Sequence, residues 1–424
     1  MKKIVTYLFF FAIIVESTSL FGQFNPILDS LARYINADSI AQTVREMEAF
    51  GDRFVTRNNK DVSEYLVQRL QNYGVDNAQI DSFHKSGNHW LIGNYSCYMY
   101  NVKGRIEGSL APDSTIIIGA HLDAISYNNN YQLYNQCPGA DDNASGIAVM
   151  IEMARIIHLH QLTPELSIDF MGYDGEELGL YGSAYDAKNR QDSSEIVSVM
   201  LNNDMVGYQP NEEPWELMLY WYENATDIAG KMAEFCENYT EISPIIADSA
   251  NNEMNEYSDS YSYSQRDYKA IFTCEKHFSP YYHSLNDSAG FCNFAYLADV
   301  SRMNFAALFD FARLTLPVDT SENIDTTEIP NSIRDFAPAL SGVILYPNPA
   351  NERIQLQFTL SEATALSISF TDITGRTMEQ LPETTYGYGI NHIAIDCSSF
   401  PSGLYFCHIR GKEYAKTLKW VVHR

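Results

Sequence analysis

Five short segments of this chain carry histidine or carboxylate side chains that could act together. Imidazole nitrogens and carboxylate oxygens without a thiolate are the ligands of catalytic zinc sites, so these segments indicate metal-assisted chemistry. The segments are GAHLD (119–123), PGADDNASG (138–146), MGYDGEE (171–177), NND (202–204) and YHSLNDS (282–288).

Each of these residues, taken singly, has an ordinary structural explanation. His121 alone is more typical of a structural histidine, and Asp141 or Asp142 alone is more typical of a helix N-cap. The pair Glu176-Glu177 alone is typical of solvated surface. Three of the segments, however, follow apolar runs that predict strands, and ligands bind where the carboxyl ends of parallel strands meet. We therefore expect the cluster to converge on one site.

The apolar runs around these segments predict an α/β fold. Ile116–Ile118, Leu166–Phe170 and Val197–Leu201 are predicted strands, and apolar residues at helical spacing follow Ile147. Strands alternating with helices at these lengths indicate a mostly parallel central sheet flanked by helices. Further helices are predicted between Asp38 and Tyr73 and over Leu297–Leu316.

A change of composition predicts a second domain. The stretch from Pro317 to Ala339 is polar and typical of a linker, whereas short alternating runs from Val343 onward predict a small all-β sandwich. Lys2, Lys3 and the apolar run Leu8–Val15 predict a signal peptide, because the run is too short to span a bilayer. An uncleaved membrane anchor is the alternative. The predicted division is signal peptide 1–22, catalytic domain 23–317, linker 318–342 and β-sandwich 343–424.

Composition argues against two classes of site. The chain has 28 basic and 54 acidic residues and a formal net charge of -26, which opposes binding to nucleic acid. The seven cysteines form no CxxC pair, so a thiolate zinc site is not indicated. No later stretch is apolar enough to span a membrane once the signal peptide is removed.

The segments above, in this order, resemble the bacterial leucyl aminopeptidases, a family of exopeptidases with two co-catalytic zinc ions. The resemblance runs from about Asp38 to Leu316 and implies two Zn²⁺ per chain on this zinc exopeptidase-like fold. It implies that His121 and Asp204 hold one ion, that Glu177 and His283 hold the other, and that Asp142 bridges them.

The same resemblance implies a mechanism for cleaving the N-terminal residue from peptide substrates. Glu176 would be the general base for a hydroxide that bridges the metals, and Asp123 would orient the imidazole of His121. Adjacent side chains of a regular strand point to opposite faces. Glu176 and Glu177 can therefore serve one centre only if the chain turns, which Gly175 and Gly179 permit.

Two features leave the details of the site open. The family commonly has Ser-Asp-His before the last ligand, and this chain has Ser258-Asp259-Ser260, so the substrate pocket and the preferred N-terminal residue are not defined. His277 lies close enough in sequence to compete with His283 as the ligand, although the Tyr-His-Ser-Leu-Asn-Asp-Ser context favours His283. Spacing alone does not separate aminopeptidase from dipeptidase or carboxypeptidase activity.

Two other functions are compatible with such a fold. Glutaminyl cyclases resemble these peptidases but use one zinc ion and catalyse an acyl transfer. The run Asp141-Asp142-Asn143 argues for two metals and against that alternative. A non-catalytic surface-binding protein is the other alternative; it predicts missing ligands, and none is missing.

The C-terminal region resembles the sorting domains of the type IX secretion system. The motifs are LYPNPAN (345–351), DITGR (372–376) and PSGLY (401–405). The resemblance implies interaction with the secretion machinery and export through the periplasm, giving a secreted or cell-surface-attached protein. An ordinary carbohydrate- or protein-binding β-sandwich is the alternative.

Overall fold

A computed structural model describes most of the chain. The described residues are 24–57, 59–248, 256–317, 340–346, 350–351, 353–360, 364–372, 376–387, 389–411 and 415–422. The predicted signal peptide and most of the predicted linker lie outside this set. Within it, no helix combines the length and the apolar character needed to cross a membrane.

The N-terminal unit is built from eight helices and eight strands among the described residues. The helices are α1 Pro26–Ala32, α2 Ala37–Glu48, α3 Asn59–Asn72, α4 Gly146–Leu159, α5 Tyr181–Asp192, α6 Thr226–Tyr239, α7 Ser260–Ser264 and α8 Phe294–Phe311. The strands are β1 Gln79–His89, β2 Gly93–Ile106, β3 Ala111–His121, β4 Leu166–Tyr173, β5 Ile196–Asn203, β6 Glu216–Trp221, β7 Ser243–Asp248 and β8 Ala270–Glu275.

These eight strands form one mixed sheet in the order β1-β2-β4-β3-β5-β8-β6-β7. The central four strands β4, β3, β5 and β8 are parallel, and the sequence predicts this for β3, β4 and β5. Strand β1 pairs antiparallel with β2, β2 with β4, and β6 with β8. Parallel pairing is therefore confined to the four central strands and to the β6–β7 pair.

The register of the parallel strands brings the predicted site segments to one edge. His121 at the end of β3 pairs with Tyr173 at the end of β4, and Gly119 pairs with Asn202 of β5. Strand β3 is buried continuously from Thr115 to His121 because helices cover both faces of the sheet centre. The side chains that follow these strands therefore meet at the carboxyl edge.

Helix α4 lies in the main core, and its first turn approaches the sheet closely. Eleven of its residues are buried, so it is apolar on nearly every side. A Cβ added at Gly146, its first residue, would overlap the Asn203 carbonyl oxygen and the Asn143 side chain. Glycine at this position therefore lets the helix start against the strand end that precedes Asp204.

The C-terminal region forms two antiparallel sheets over one core. Its strands are β9 Leu340–Tyr346, β10 Arg353–Leu360, β11 Thr364–Asp372, β12 Thr377–Tyr386, β13 Gly389–Asp396, β14 Gly403–Arg410 and β15 Ala415–Val422. The sheets have the orders β13-β10-β9 and β12-β11-β14-β15. Buried residues such as Phe358 of β10, Phe370 of β11 and Trp420 of β15 share one cluster, so this all-β region is a sandwich.

The structure departs from the predicted elements in two places. Helix α8 ends at Phe311 rather than continuing to Leu316, because Arg313 takes a positive φ of 52° and Thr315 pairs with Thr163. Strands β6, β7 and β8 are not anticipated by the sequence analysis. They form the side of the sheet beyond β5, and the chain continues from the end of β8 to His283.

The close approach at Gly146 predicts a measurable destabilisation. Gly146→Ala is expected to lower the free energy of unfolding by about 1–3 kcal/mol, because the added methyl group meets backbone that cannot move away. Thermal unfolding of the full chain measures this change.

Gly230→Ala on α6 is the matched control, since nothing lies within 4 Å of its added Cβ. That variant is expected to gain about 0.5–1 kcal/mol because alanine favours the helix. Equal stability of the two variants would contradict the account of the α4 start.

Candidate metal centre

The loop before α4 presents Asp142 to the site rather than using it as a helix cap. Asp142 and Asn143 have non-helical backbone angles, and the peptide bond between them is cis. Asn143 Oδ1 accepts the hydrogen bond from the Gly146 N–H at 3.0 Å. The N-cap explanation of Asp142 is therefore wrong, and its carboxylate is directed elsewhere.

The two oxygens of Asp142 face two different histidines. Oδ1 lies 3.1 Å from His121 Nε2, and Oδ2 lies 3.2 Å from His283 Nε2. His121 Nε2 is also 3.2 Å from Asp204 Oδ1, and His283 Nε2 is 2.8 Å from Glu177 Oε2. The five residues predicted as metal ligands therefore form two sets that share Asp142.

The hydrogen bonds of both imidazoles fix which nitrogen faces this cluster. His121 Nδ1 is 3.1 Å from the Asp123 backbone carbonyl, which can only accept, so Nδ1 carries the proton. His283 Nδ1 is 3.0 Å from the Tyr127 hydroxyl. Both Nε2 atoms are thus presented to the carboxylates, as metal-ligating histidines require.

A turn after β4 brings Glu176 and Glu177 to the same site. Gly175 has a φ of 76°, and the Gly179 and Leu180 N–H groups both donate to the Glu176 carbonyl, at 2.8 and 2.9 Å. Glu176 then lies with His121 and Asp204 in one group whose ligand atoms are all within 4.8 Å of one another. The turn that the two glycines predict is present.

Asp123 contacts this turn as well as the histidine. Its carboxylate accepts hydrogen bonds from the N–H groups of Glu176 at 3.1 Å and Glu177 at 3.3 Å. Asp123 Oδ1 is 3.6 Å from His121 Nδ1, farther than a good hydrogen bond. The predicted contact with the imidazole is therefore made by the Asp123 backbone carbonyl, and the carboxylate holds the two glutamates.

The Ser258-Asp259-Ser260 stretch lies beside the site. Ser258 donates to Asp204 Oδ2 at 2.6 Å, and Ser260 and the Tyr222 hydroxyl are 2.9 Å apart. Asp259 is fully buried, and within the described residues neither carboxylate oxygen has a hydrogen-bond partner. Burial raises the pKa of Asp259 to about 7. Ser260, at the position where the resembled family has histidine, thus contacts Tyr222, whereas Ser258 contacts the candidate ligand Asp204.

His277 does not join the cluster. Its Nε2 lies 3.8 Å from Glu216 Oε2, and among the described residues no metal-ligating group includes it. His283 instead contacts Asp142 and Glu177.

The donor set fits metal ions. Glu177 Oε1 and His283 Nε2 are buried, and no described group makes a hydrogen bond of good geometry to either. Buried polar atoms are normally satisfied, so such atoms facing a carboxylate cluster are explained by a cation. Nitrogen and oxygen donors without a thiolate suit zinc in an open catalytic site.

The electrostatics point the same way. Burial raises the pKa of Glu177 to about 7. The neighbouring Asp142 carboxylate also raises this pKa, whereas His283 lowers it. Burial likewise raises the pKa of Glu176 well above its usual range. Burial opposes protonation of His121, yet Asp204 and Glu176 raise its pKa well above the ordinary value. Carboxyl groups crowded together in this way favour their protonated forms. Bound divalent ions would instead favour the ionised carboxylates.

Two residues that hold the site were missed as functional residues by the sequence analysis. Arg53 is fully buried and donates to the backbone carbonyls of Leu122 at 3.0 Å and Gly139 at 2.8 Å, which ties two site loops together. Asp287 accepts from the N–H groups of Asp141 at 2.8 Å and Asp142 at 3.1 Å. Asp287 belongs to the YHSLNDS segment, whereas no local pattern singles out Arg53.

Comparison with known proteins places both parts of the chain. Residues 101–308 match the family model described as peptidase family M28, and residues 344–423 match that of the secretion system C-terminal sorting domain. The chain is 24% identical over 293 residues to a probable leucine aminopeptidase of Arthroderma otae, covering 65% of this chain and 73% of that protein.

Two further relatives extend the comparison. A probable zinc metalloprotease of Pyrenophora teres f. teres is 28% identical over 193 residues, which cover 42% of this chain and only 39% of that protein. The solved structure of the LapA aminopeptidase of Legionella pneumophila shares the fold, with a TM-score of 0.55 and 22% identity over 74% of this chain and 80% of that one. The chain therefore contains a peptidase domain of family M28, followed by a C-terminal sorting domain of type IX secretion.

Proposed function

We propose that the chain is a secreted zinc metallopeptidase, an aminopeptidase that removes the N-terminal residue of peptides with two zinc ions. The family match and the relatives named as zinc metalloprotease and leucine aminopeptidase support the class. The observation that carries the two-metal proposal is the division of the Asp142 oxygens between two histidines.

In this proposal His121 and Asp204 hold one ion, Glu177 and His283 hold the other, and Asp142 bridges them. Three carboxylates would leave two divalent ions with a net positive charge, which would favour an anionic nucleophile. Two bound zinc ions lower the pKa of a water molecule and polarise the scissile carbonyl.

Glu176 is proposed as the general base. Its carboxylate lies in one group with His121 and Asp204. Asp142 also faces His121 and would complete that ligand set, which leaves Glu176 free to act as a base. A carboxylate at this position can take a proton from the attacking water and deliver it to the leaving amine. Asp123 is a positioning residue in this scheme, because it fixes the backbone of both glutamates.

The arrangement favours a peptidase over a glutaminyl cyclase. A single catalytic zinc takes three protein ligands. Here two imidazoles, His121 and His283, each face Asp142 and a further carboxylate of their own. Ser260, which stands where the family has histidine, contacts the Tyr222 hydroxyl.

The sorting domain implies export by type IX secretion to the cell surface or the medium. We propose that the signal peptide first takes the chain across the inner membrane and that the protein passes through the periplasm. A peptidase in that location would act on peptides outside the cell.

Substitution of the two adjacent glutamates separates their roles. Glu176→Gln is expected to lower kcat on a leucyl peptide by about 10²–10⁴-fold, because the general base is lost. The zinc content of this variant, measured by elemental analysis, is expected to equal that of the wild type.

Glu177→Gln is the matched control: it makes the same chemical change one residue away and is expected to lose zinc together with activity. Peptide hydrolysis that survived in Glu176→Gln would reject Glu176 as the base. Wild-type cleavage that continued after complete removal of metal would reject the whole mechanism.

Loss of the Asp123 carboxylate tests the positioning role. In Asp123→Asn an amide group replaces one of the two oxygens that accept from Glu176 and Glu177, so one backbone N–H faces another donor. Zinc affinity, measured by competition with a chelator, is expected to fall by about 10–100-fold.

Asp192→Asn removes the same charge from the exposed end of α5, where the carboxylate contacts Lys188, and serves as the control. Unchanged zinc affinity in Asp123→Asn would show that the glutamate turn holds its shape without this contact.

A further inference from the structure

A row of aromatic side chains leads from a metal-ligand candidate to the surface of the molecule. We call Tyr127, Tyr131 and Trp90 the aromatic wall. Tyr127 is partly buried, whereas Tyr131 is 59% exposed and Trp90 is 68% exposed. The row therefore begins inside the site and ends in solvent.

The inner end of the aromatic wall touches the centre directly. The Tyr127 ring lies 5.3 Å from the His283 ring at 71°, an edge-on contact, and its hydroxyl is 3.0 Å from His283 Nδ1. The Tyr127 N–H also donates to the His283 carbonyl at 3.1 Å. Tyr127 is thus held by both the side chain and the backbone of His283.

The middle of the wall is held by a tight loop. Tyr131 has a φ of 57°, a conformation that costs a non-glycine residue free energy, and its N–H donates to the Asn128 carbonyl at 2.8 Å. The Asn128 side chain accepts from the N–H groups of Asn130 at 2.9 Å and Gln132 at 3.1 Å. This loop places the Tyr131 ring 5.6 Å from Tyr127.

The outer end is carried by the turn between β1 and β2. Trp90 lies in that turn, and its ring is 5.3 Å from Tyr131 at 81°. Leu91 and Ile92, the next residues, pack in the apolar cluster that contains Ile125 and Leu178. Since Leu178 follows Glu177 directly, the same cluster supports the wall and the glutamate turn.

The exposure of these rings is not explained by folding. Tyr131 and Trp90 contact each other yet leave more than half of their surface in water, although burying aromatic surface stabilises a protein. Contiguous exposed apolar surface beside a polar site is typical of a binding site. The aromatic wall joins such a surface to His283 without a break.

We propose that the aromatic wall binds the part of a peptide substrate that follows the scissile bond and favours apolar or aromatic side chains there. This inference rests on the proposed aminopeptidase function. The ligand cluster is buried, so the N-terminal residue occupies the closed end, and the rest of the peptide must leave towards the surface. The wall carries no charge and offers ring faces and edges along that exit.

Three substrates test the proposal: leucinamide, which has no residue after the scissile bond, Leu-Gly-Gly and Leu-Phe-Phe. In Trp90→Ala, the ratio of kcat/KM for Leu-Phe-Phe to that for leucinamide is expected to fall about tenfold, as loss of an aromatic contact predicts. The change is expected in KM, and the ratio for Leu-Gly-Gly to leucinamide is expected to stay constant. Tyr131→Ala is expected to act in the same direction.

Two further variants serve as controls. Trp90→Phe keeps an aromatic ring and is expected to retain most of the preference for Leu-Phe-Phe. Tyr98→Ala removes a tyrosine that is 58% exposed on β2 and contacts His84 rather than the wall, so the ratio is expected to stay at the wild-type value.

The outcomes separate this inference from the function on which it rests. An unchanged Leu-Phe-Phe to leucinamide ratio in both Trp90→Ala and Tyr131→Ala would overturn the aromatic wall as a substrate site. An equal loss on all three substrates would overturn it as well. If the wild type with zinc cleaved none of the three, the aminopeptidase proposal itself would be rejected.

Discussion

The structure of the site depends on the cost of holding several carboxylates together away from water. Asp142, Glu177 and Asp204 are brought within reach of two imidazoles at one edge of the sheet, with Glu176 beside them. Each buried charge carries a desolvation penalty of several kcal/mol, and like charges repel. Bound cations remove both penalties, so this cluster makes physical sense as a metal centre.

Hydrogen bonds between charged side chains and the main chain, rather than further ionic pairs with the ligands, hold the surrounding loops in place. Backbone N–H groups donate to the carboxylates of Asp123 and Asp287, and Arg53 donates to backbone carbonyls of two site loops. Fixing the loops through the main chain leaves the ligand oxygens available. Gly146 completes this arrangement, because only a residue without a side chain lets α4 start against the strand that leads to Asp204.

Much of the site was predictable because its residues lie at chain positions that a parallel sheet brings together. His121, Glu177 and Asp204 each follow an apolar run that is a strand, and strand ends on one sheet edge must be neighbours. The assignment of individual roles came from family resemblance and not from spacing. What the sequence could not provide is the set of contacts between distant loops, such as those of Arg53 or the edge-on contact of Trp90 with Tyr131. Those contacts depend on side-chain directions that no periodic pattern encodes.

The three strands on one side of the sheet were missed for a related reason. Strands β6, β7 and β8 are short, and an apolar run of that length does not distinguish a strand from a buried helix segment. The same limit applies to the end of α8, where Arg313, the residue after the C-cap, adopts a left-handed conformation that glycine usually occupies. The propensities of the local sequence indicate the type of each element, whereas tertiary packing determines where the element ends.

The account as a whole requires that Asp142 lie between two metal ions. Diffraction from crystals of the zinc-loaded chain, recorded on both sides of the zinc absorption edge, locates the ions directly. The account predicts two anomalous peaks about 3.5–4 Å apart, one beside His121 and Asp204 and one beside His283 and Glu177, with Asp142 contacting both. A single peak, or two peaks of which Asp142 contacts only one, would contradict it.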